Sequence, residues 1–211
     1  FHYRGVAWGE KGRYDEAISD LTKAIELNVE LVDAYHHRGF AYDAKGKHDL
    51  AVSDFTKAIE LNPRDPRAYN NRAIAYRHKG EYEQAISDYI KAAAAYYNRG
   101  LACNEKGQYD KAISDFTRAI ELNPKDAAAC HNRGIAHDAK GEYDQAISDY
   151  TKDIELNPRD AEAYHNRGRD YSERGEYDLA ISDYTKAIEL NPRYADAYHH
   201  RGVTYEAKGA Y

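Results

Sequence analysis

The chain has 211 residues, 42% hydrophobic and 31% charged, a balance that suits a folded protein and excludes a disordered one. A formal net charge of −6 removes the global positive field that nucleic acid or an anionic membrane surface would call for. No apolar run approaches the roughly 20 residues of a membrane span, and two cysteines, Cys103 and Cys130, are too few for a disulfide framework.

No charged-then-apolar leader opens the chain, so the expected setting is a reducing cytoplasm. The absence of methionine and the abrupt ends raise the expectation of a fragment of a longer chain.

Self-similarity is the dominant signal. Arg-Gly recurs at Arg4-Gly5, Arg38-Gly39, Arg99-Gly100, Arg133-Gly134, Arg167-Gly168 and Arg201-Gly202, with Arg72-Ala73 in the remaining slot. The steps between these pairs are 34, 34, 27, 34, 34 and 34 residues. A second glycine follows seven residues after each, from Gly12 and Gly46 through to Gly209.

In chain order, the first unit lacks its start and two further units complete residues 1–92, the third being short by seven residues. Four more occupy 93–211, the last cut after its first helix, and one continuous array is expected. Each unit reads as two helices. Asp65, Asp126 and Asp160 stand just ahead of first helices as N-caps. At the seam after Lys91-Ala92 the usual Ile-Glu-Leu-Asn-Pro is missing, and two readings stay open. Either Glu83 to Lys106 is one helix of about 36 Å, or an IELNP-like segment has been omitted from the sequence. Further on, Ala161 to Arg174 places Ala163, Tyr164, Gly168 and Tyr171 along one face, and Gly175 ends the helix. Asp178 is expected to cap the second helix, which carries Leu179, Ala180, Ile181, Tyr184, Ala187, Ile188 and Leu190 until Asn191-Pro192 stops it.

Tyr164, Gly168, Tyr171, Ala180, Tyr184, Ala187 and Pro192, repeated with the same spacing in the other units, resemble the tetratricopeptide repeat. The resemblance covers essentially the whole chain. It implies an all-α, right-handed superhelical solenoid of antiparallel helix pairs, a scaffold for a protein or peptide partner. In that family the first helices line a concave groove. Carried onto this chain, the positions three before the glycine are His36, Asn70, Tyr97, His131 and His165, expected to be exposed on the inner face. Beside them, two before the glycine, come His37, Asn71, Asn98, Asn132 and Asn166. The position after the glycine gives an apolar stripe of Phe40, Ile74, Leu101 and Ile135, broken by Arg169. Clamps for chaperone C-terminal carboxylates carry Asn after the glycine and paired lysines, so that partner type is not expected. An apolar stripe flanked by amides and imidazoles better suits a partner helix or extended segment, and the imidazoles make pH-dependent affinity an expectation.

No metal and no cofactor are expected: adjacent histidines such as His36-His37 point about 100° apart on a helix, and no recognisable ligand set completes them. Nor does a catalytic constellation accompany Asp153 and Asp170, which fill slots that hold alanine in most other units. The expected alternative to a partner-binding scaffold is a structural protein that self-associates through its repeat faces and uncapped ends. Finally, the arginine before each glycine and the aspartates at 20, 54, 88, 115, 149 and 183 predict a repeated ion-pair ladder.

Overall fold

The computed structural model describes residues 1–209; their regular structure is helical throughout. Twelve helices follow in order: α1 (His2–Glu10), α2 (Tyr14–Leu27), α3 (Val32–Ala44), α4 (His48–Leu61), α5 (Pro66–Lys79), α6 (Tyr82–Glu105), α7 (Tyr109–Leu122), α8 (Ala127–Asp138), α9 (Tyr143–Leu156), α10 (Ala161–Glu173), α11 (Tyr177–Leu190) and α12 (Ala195–Gly209). They divide into two compact units, Phe1–Ala95 and Tyr96–Tyr211. None is long and apolar enough to cross a membrane.

Local chemistry sets the helix ends. The second glycine of the first six repeats closes a first helix in the left-handed region, with φ between 67° at Gly107 and 79° at Gly80, where a Cβ would be strained. Second helices end at Asn62, Asn123, Asn157 and Asn191, whose φ of −132° to −140° no longer continues the helix before proline. Asp65, Asp126 and Asp160 accept backbone N–H bonds from the first turns of α5, α8 and α10, as their position predicts. Asp178 does not cap α11. The N-cap is Glu176, and Asp178 lies inside the first turn, paired with Lys208 thirty residues on. The same surface pairing joins Asp49 to Lys79 at 2.7 Å and Asp110 to Lys140 at 2.8 Å.

Within each pair the helices meet where side chains vanish. A Cβ on Gly39 would lie 2.9 Å from Phe55, and one on Gly134 would lie 2.9 Å from Tyr150. The missing methyl lets a large ring lie against the backbone of the first helix. Alanines 17, 51, 112, 146 and 180 line the same contact and are fully buried.

The predicted ion-pair ladder is real and forms within each of the first six repeats. Arg4, Arg38, Arg72, Arg99, Arg133 and Arg167 each donate through Nε and Nη2 to the aspartate sixteen residues later, at 2.6–2.9 Å. Such a fork-on-carboxylate geometry is the strong form of the interaction. Arg38, Arg72, Arg133, Arg167 and Arg201 also donate through Nη1 to a threonine sixteen residues earlier, on the preceding second helix, at 2.9–3.0 Å. One guanidinium therefore ties three helices together.

At the short seam, α6 runs unbroken for 24 residues, about 36 Å, and the boundary between the units falls inside it. The helix takes the place of a second and a first helix. In each unit the leading arginine is the more open one: the Arg4 side chain is 61% exposed against 16% for Arg38, and Arg99 is 44% exposed against 16% for Arg167.

Removing one arm of a buried pair leaves an uncompensated charge, which typically costs about 3–5 kcal/mol. Arg133→Leu is therefore expected to lower unfolding free energy in a urea titration by a few kcal/mol. Adding Asp149→Asn should recover part of that loss. A double variant as unstable as the single one would show that the pair is not the source.

Candidate functional site

The inner positions of the first helices do not form one exposed ladder. His36, Asn70, His131 and His165 are buried and Tyr97 is half-buried, so the expected exposure of this series is corrected. The reason is the glycine. Three residues before it lies the same helix face one turn back, so the ring that packs on the glycine also meets this side chain. His36 sits 5.6 Å from Phe55, Tyr97 5.9 Å from Phe116, His131 5.5 Å from Tyr150 and His165 5.7 Å from Tyr184, between ring centroids.

The second series links neighbouring repeats. Asn71 donates to His36 Nε2 at 3.3 Å, and Asn132 donates to the Tyr97 hydroxyl at the same distance. His200 and His165 share a bond of 2.9 Å. Asn166 is buried, again against expectation, and its Oδ1 faces His165 Nδ1 at 3.2 Å. His37 is half-buried and Asn98 exposed. Burial pushes His36, His37, His165 and His200 below the usual imidazole value, so these rings are neutral at physiological pH.

The accessible surface is the third series. Phe40 is 52% exposed, while Ile74, Leu101 and Ile135 are half-buried. Arg169 is held by Asp138 and lies 3.9 Å from Asp170.

The two out-of-pattern carboxylates behave differently. Asp153 accepts from His131 Nδ1 at 2.7 Å inside the fold. Burial disfavours the imidazolium, but the hydrogen bond and charge of Asp153 outweigh it and raise the His131 pKa. Asp170 is fully buried, and neither of its oxygens has a hydrogen-bond partner among the described residues. Burial, reinforced by the charge of Asp138, pushes it up to about 8. An Asp–Arg compensation accounts for only part of this: Arg169 serves Asp138 first.

Two groups among the described residues gather metal-capable side chains: Asp43 with His48 and His78, and His131 with Asp153 and Asp160. In the second, Asp160 is engaged as the N-cap of α10. The first went unread in the sequence because its members sit 5 and 30 residues apart on three helices. A signal was present, since His48 stands where Tyr14, Tyr82, Tyr109, Tyr143 and Tyr177 stand in other units.

Comparison with known proteins gives a consistent result. Family models described as "Tetratricopeptide repeat" match residues 32–65, 93–126, 55–87 and 127–160, and one described as "TPR repeat" matches 10–46 and 168–209. No curated protein matches in sequence. Among solved structures, the chain is similar to YrrB, described as a TPR protein with an unusual peptide-binding site: 27% identity, TM-score 0.52, covering 86% of this chain and 97% of that one. It is also similar to the first TPR of Spaghetti (RPAP3) bound to the HSP90 peptide SRMEEVD, at 25% identity and TM-score 0.55, covering 56% and 93%. The Arabidopsis OM64 TPR domain gives 27%, 0.55, 56% and 98%.

Asp170 has a higher pKa in the folded chain than the roughly 3.9 of an unfolded aspartate, so the native state holds its proton more tightly. Its contribution is intact below about pH 4 and is lost as pH rises towards about 8. Asp170→Ala, which installs the residue of the equivalent slots at Ala41, Ala75 and Ala136, should raise the melting temperature, and by more at pH 8 than at pH 5. An equal shift at both values would show that the carboxyl is not the titrating group.

Proposed function

The chain belongs to the tetratricopeptide repeat family, and on that footing we propose that it is a non-catalytic adaptor holding a segment of another protein against its first helices. The observation that carries this is the apolar residue that follows the repeat glycine, or Ala73 in the third repeat, in every repeat but the one that carries Arg169. In the first compact unit Phe40 stands open on α3 with Ile74 on α5, and in the second Leu101 and Ile135 repeat the step on α6 and α8. The neighbouring inner positions are taken up in packing or in bonds between repeats, so these side chains are the ones offered to a partner. Asn98, which is exposed, and His37, which is half-buried, flank them with groups able to bond a peptide backbone. The peptide binding named for YrrB and for the Spaghetti domain supports the reading.

The partner this surface fits is a helix or extended segment with apolar side chains at regular intervals. An acidic tail such as SRMEEVD finds little here, because the arginine of the third series, Arg169, is already held by Asp138. Peptides selected against the chain should be apolar. Calorimetry should show Phe40→Asp or Ile135→Asp weakening them at least about tenfold, the cost of placing a charge against an apolar contact, with the helical circular-dichroism spectrum unchanged. Selected peptides that bind both variants as well as the parent would overturn the assignment, as would saturable binding of SRMEEVD abolished by Arg169→Ala.

Self-association is a second reading, favoured by one stripe. Tyr82, Ile86 and Ile90 lie at four-residue steps on α6 and are 65%, 59% and 65% exposed. Light scattering across a dilution series tests it. A mass above the monomer's 24.0 kDa that Ile86→Glu returns to the monomer value supports the reading, and a constant monomer excludes it.

A further inference from the structure

We propose that Asp43, His48 and His78 form a binding site for a divalent transition-metal ion, with Zn²⁺ the best match, that pins α5 to the α3–α4 pair. Asp43 lies in the last turn of α3, His48 opens α4, and His78 lies in the last turn of α5. His48 Nδ1 is 2.6 Å from Asp43 Oδ1, and His78 Nδ1 is 3.1 Å from both carboxylate oxygens. The two imidazole centroids are 5.1 Å apart, and one ligand atom from each residue falls within a span of 4.8 Å.

That spacing is close to what a metal requires. Zinc holds imidazole nitrogen and carboxylate oxygen at about 2.0–2.2 Å, which sets neighbouring ligand atoms roughly 3.0–3.5 Å apart. His48 and Asp43 would part by a few tenths of an ångström, and the two imidazole nitrogens, no more than 4.8 Å apart, would draw together around the ion. Two imidazoles with one carboxylate suit zinc and the other late first-row ions, whereas calcium and magnesium need more oxygen ligands than are present. Three protein ligands leave a further position for water. The site is open enough for entry: His78 is exposed, and His48 and Asp43 are half-buried.

Repeat packing does not account for the arrangement. The His48 slot holds tyrosine in five other units, and the slot of His78 holds Glu10, Ala44, Glu105, Ala139, Glu173 and Ala207. Two departures from the pattern, on different helices, converge on one carboxylate. The neighbouring cation is occupied elsewhere, since Lys79 bonds Asp49 at 2.7 Å and Glu81 at 2.6 Å. It leaves Asp43 to the two imidazoles.

The test uses the tag-free chain, with ZnCl₂ titrated by calorimetry and melting followed by circular dichroism. His48→Tyr restores the residue of the other units, so it removes one ligand while keeping the fold; Asp43→Asn is the second variant. The parent should bind one ion at low-micromolar concentration, and either variant should weaken this by about tenfold or more. Excess Zn²⁺ should raise the melting temperature of the parent by about 5 °C, as expected for ligand well above its dissociation constant, and leave His48→Tyr unmoved. Mg²⁺ should do neither. Absence of binding at about 100 µM Zn²⁺, a level at which the linkage would be plain, overturns the proposal. So does binding that His48→Tyr and Asp43→Asn leave intact, which would place the ion on other histidines of the chain.

Discussion

The bidentate bond between the arginine of a first helix and the aspartate of its second sets the separation and rotation at which the two helices can meet. A guanidinium is always charged and offers a rigid planar fork. A charged carboxylate buried to the degree of Asp88 or Asp149 is costly without such a partner. Because the third nitrogen reaches the threonine of the preceding repeat, the same group also fixes how repeats stack. The contribution of a buried ion pair lies in selecting one register more than in net stability. The close approach at Gly39 and Gly134 follows from it. The third repeat shows the order of dependence: Ala73 replaces the glycine there, yet Arg72 still grips Asp88.

Features that a few neighbouring residues determine were legible in the sequence. The period, the turn glycines, the Asn-Pro stops and the caps at Asp65, Asp126 and Asp160 each depend on local backbone chemistry. Asp178 was misread because its alternative partner, Lys208, lies thirty residues away. The inner histidines failed for a related reason. Helical spacing says which side chains share a face, but not which ring the facing helix brings against them. His36 and His131 are inner-facing by position and buried by Phe55 and Tyr150.

Departures from a repeat carry information that the repeat itself does not, though their chemistry depends on what surrounds them. Asp153 and Asp170 both replace alanine. The first meets an imidazole and becomes half of a buried pair; the second meets another carboxylate's field and holds its proton towards pH 8. His48 departs from tyrosine and finds a carboxylate already facing a second imidazole. An identical substitution signal thus yields an ion pair, a neutral acid or a ligand set, and only the third dimension separates them.

The short third repeat follows the same logic at the level of a whole helix. The residues missing after Ala92 are those that elsewhere hold the Asn-Pro stop, as at Asn62-Pro63 and Asn123-Pro124. Without a stop, each added residue extends an existing helix by one hydrogen bond and needs no new nucleus, and four successive alanines favour the outcome. In full-length repeats the counterparts of Ile86, such as Ile18 and Ile113, pack against buried clusters that include residues of the next first helix. On α6 the helix continues where the other repeats carry a stop, and Tyr82, Ile86 and Ile90 are exposed. Loss of a seven-residue stop thereby leaves exposed on α6 apolar side chains whose counterparts in full-length repeats are packed.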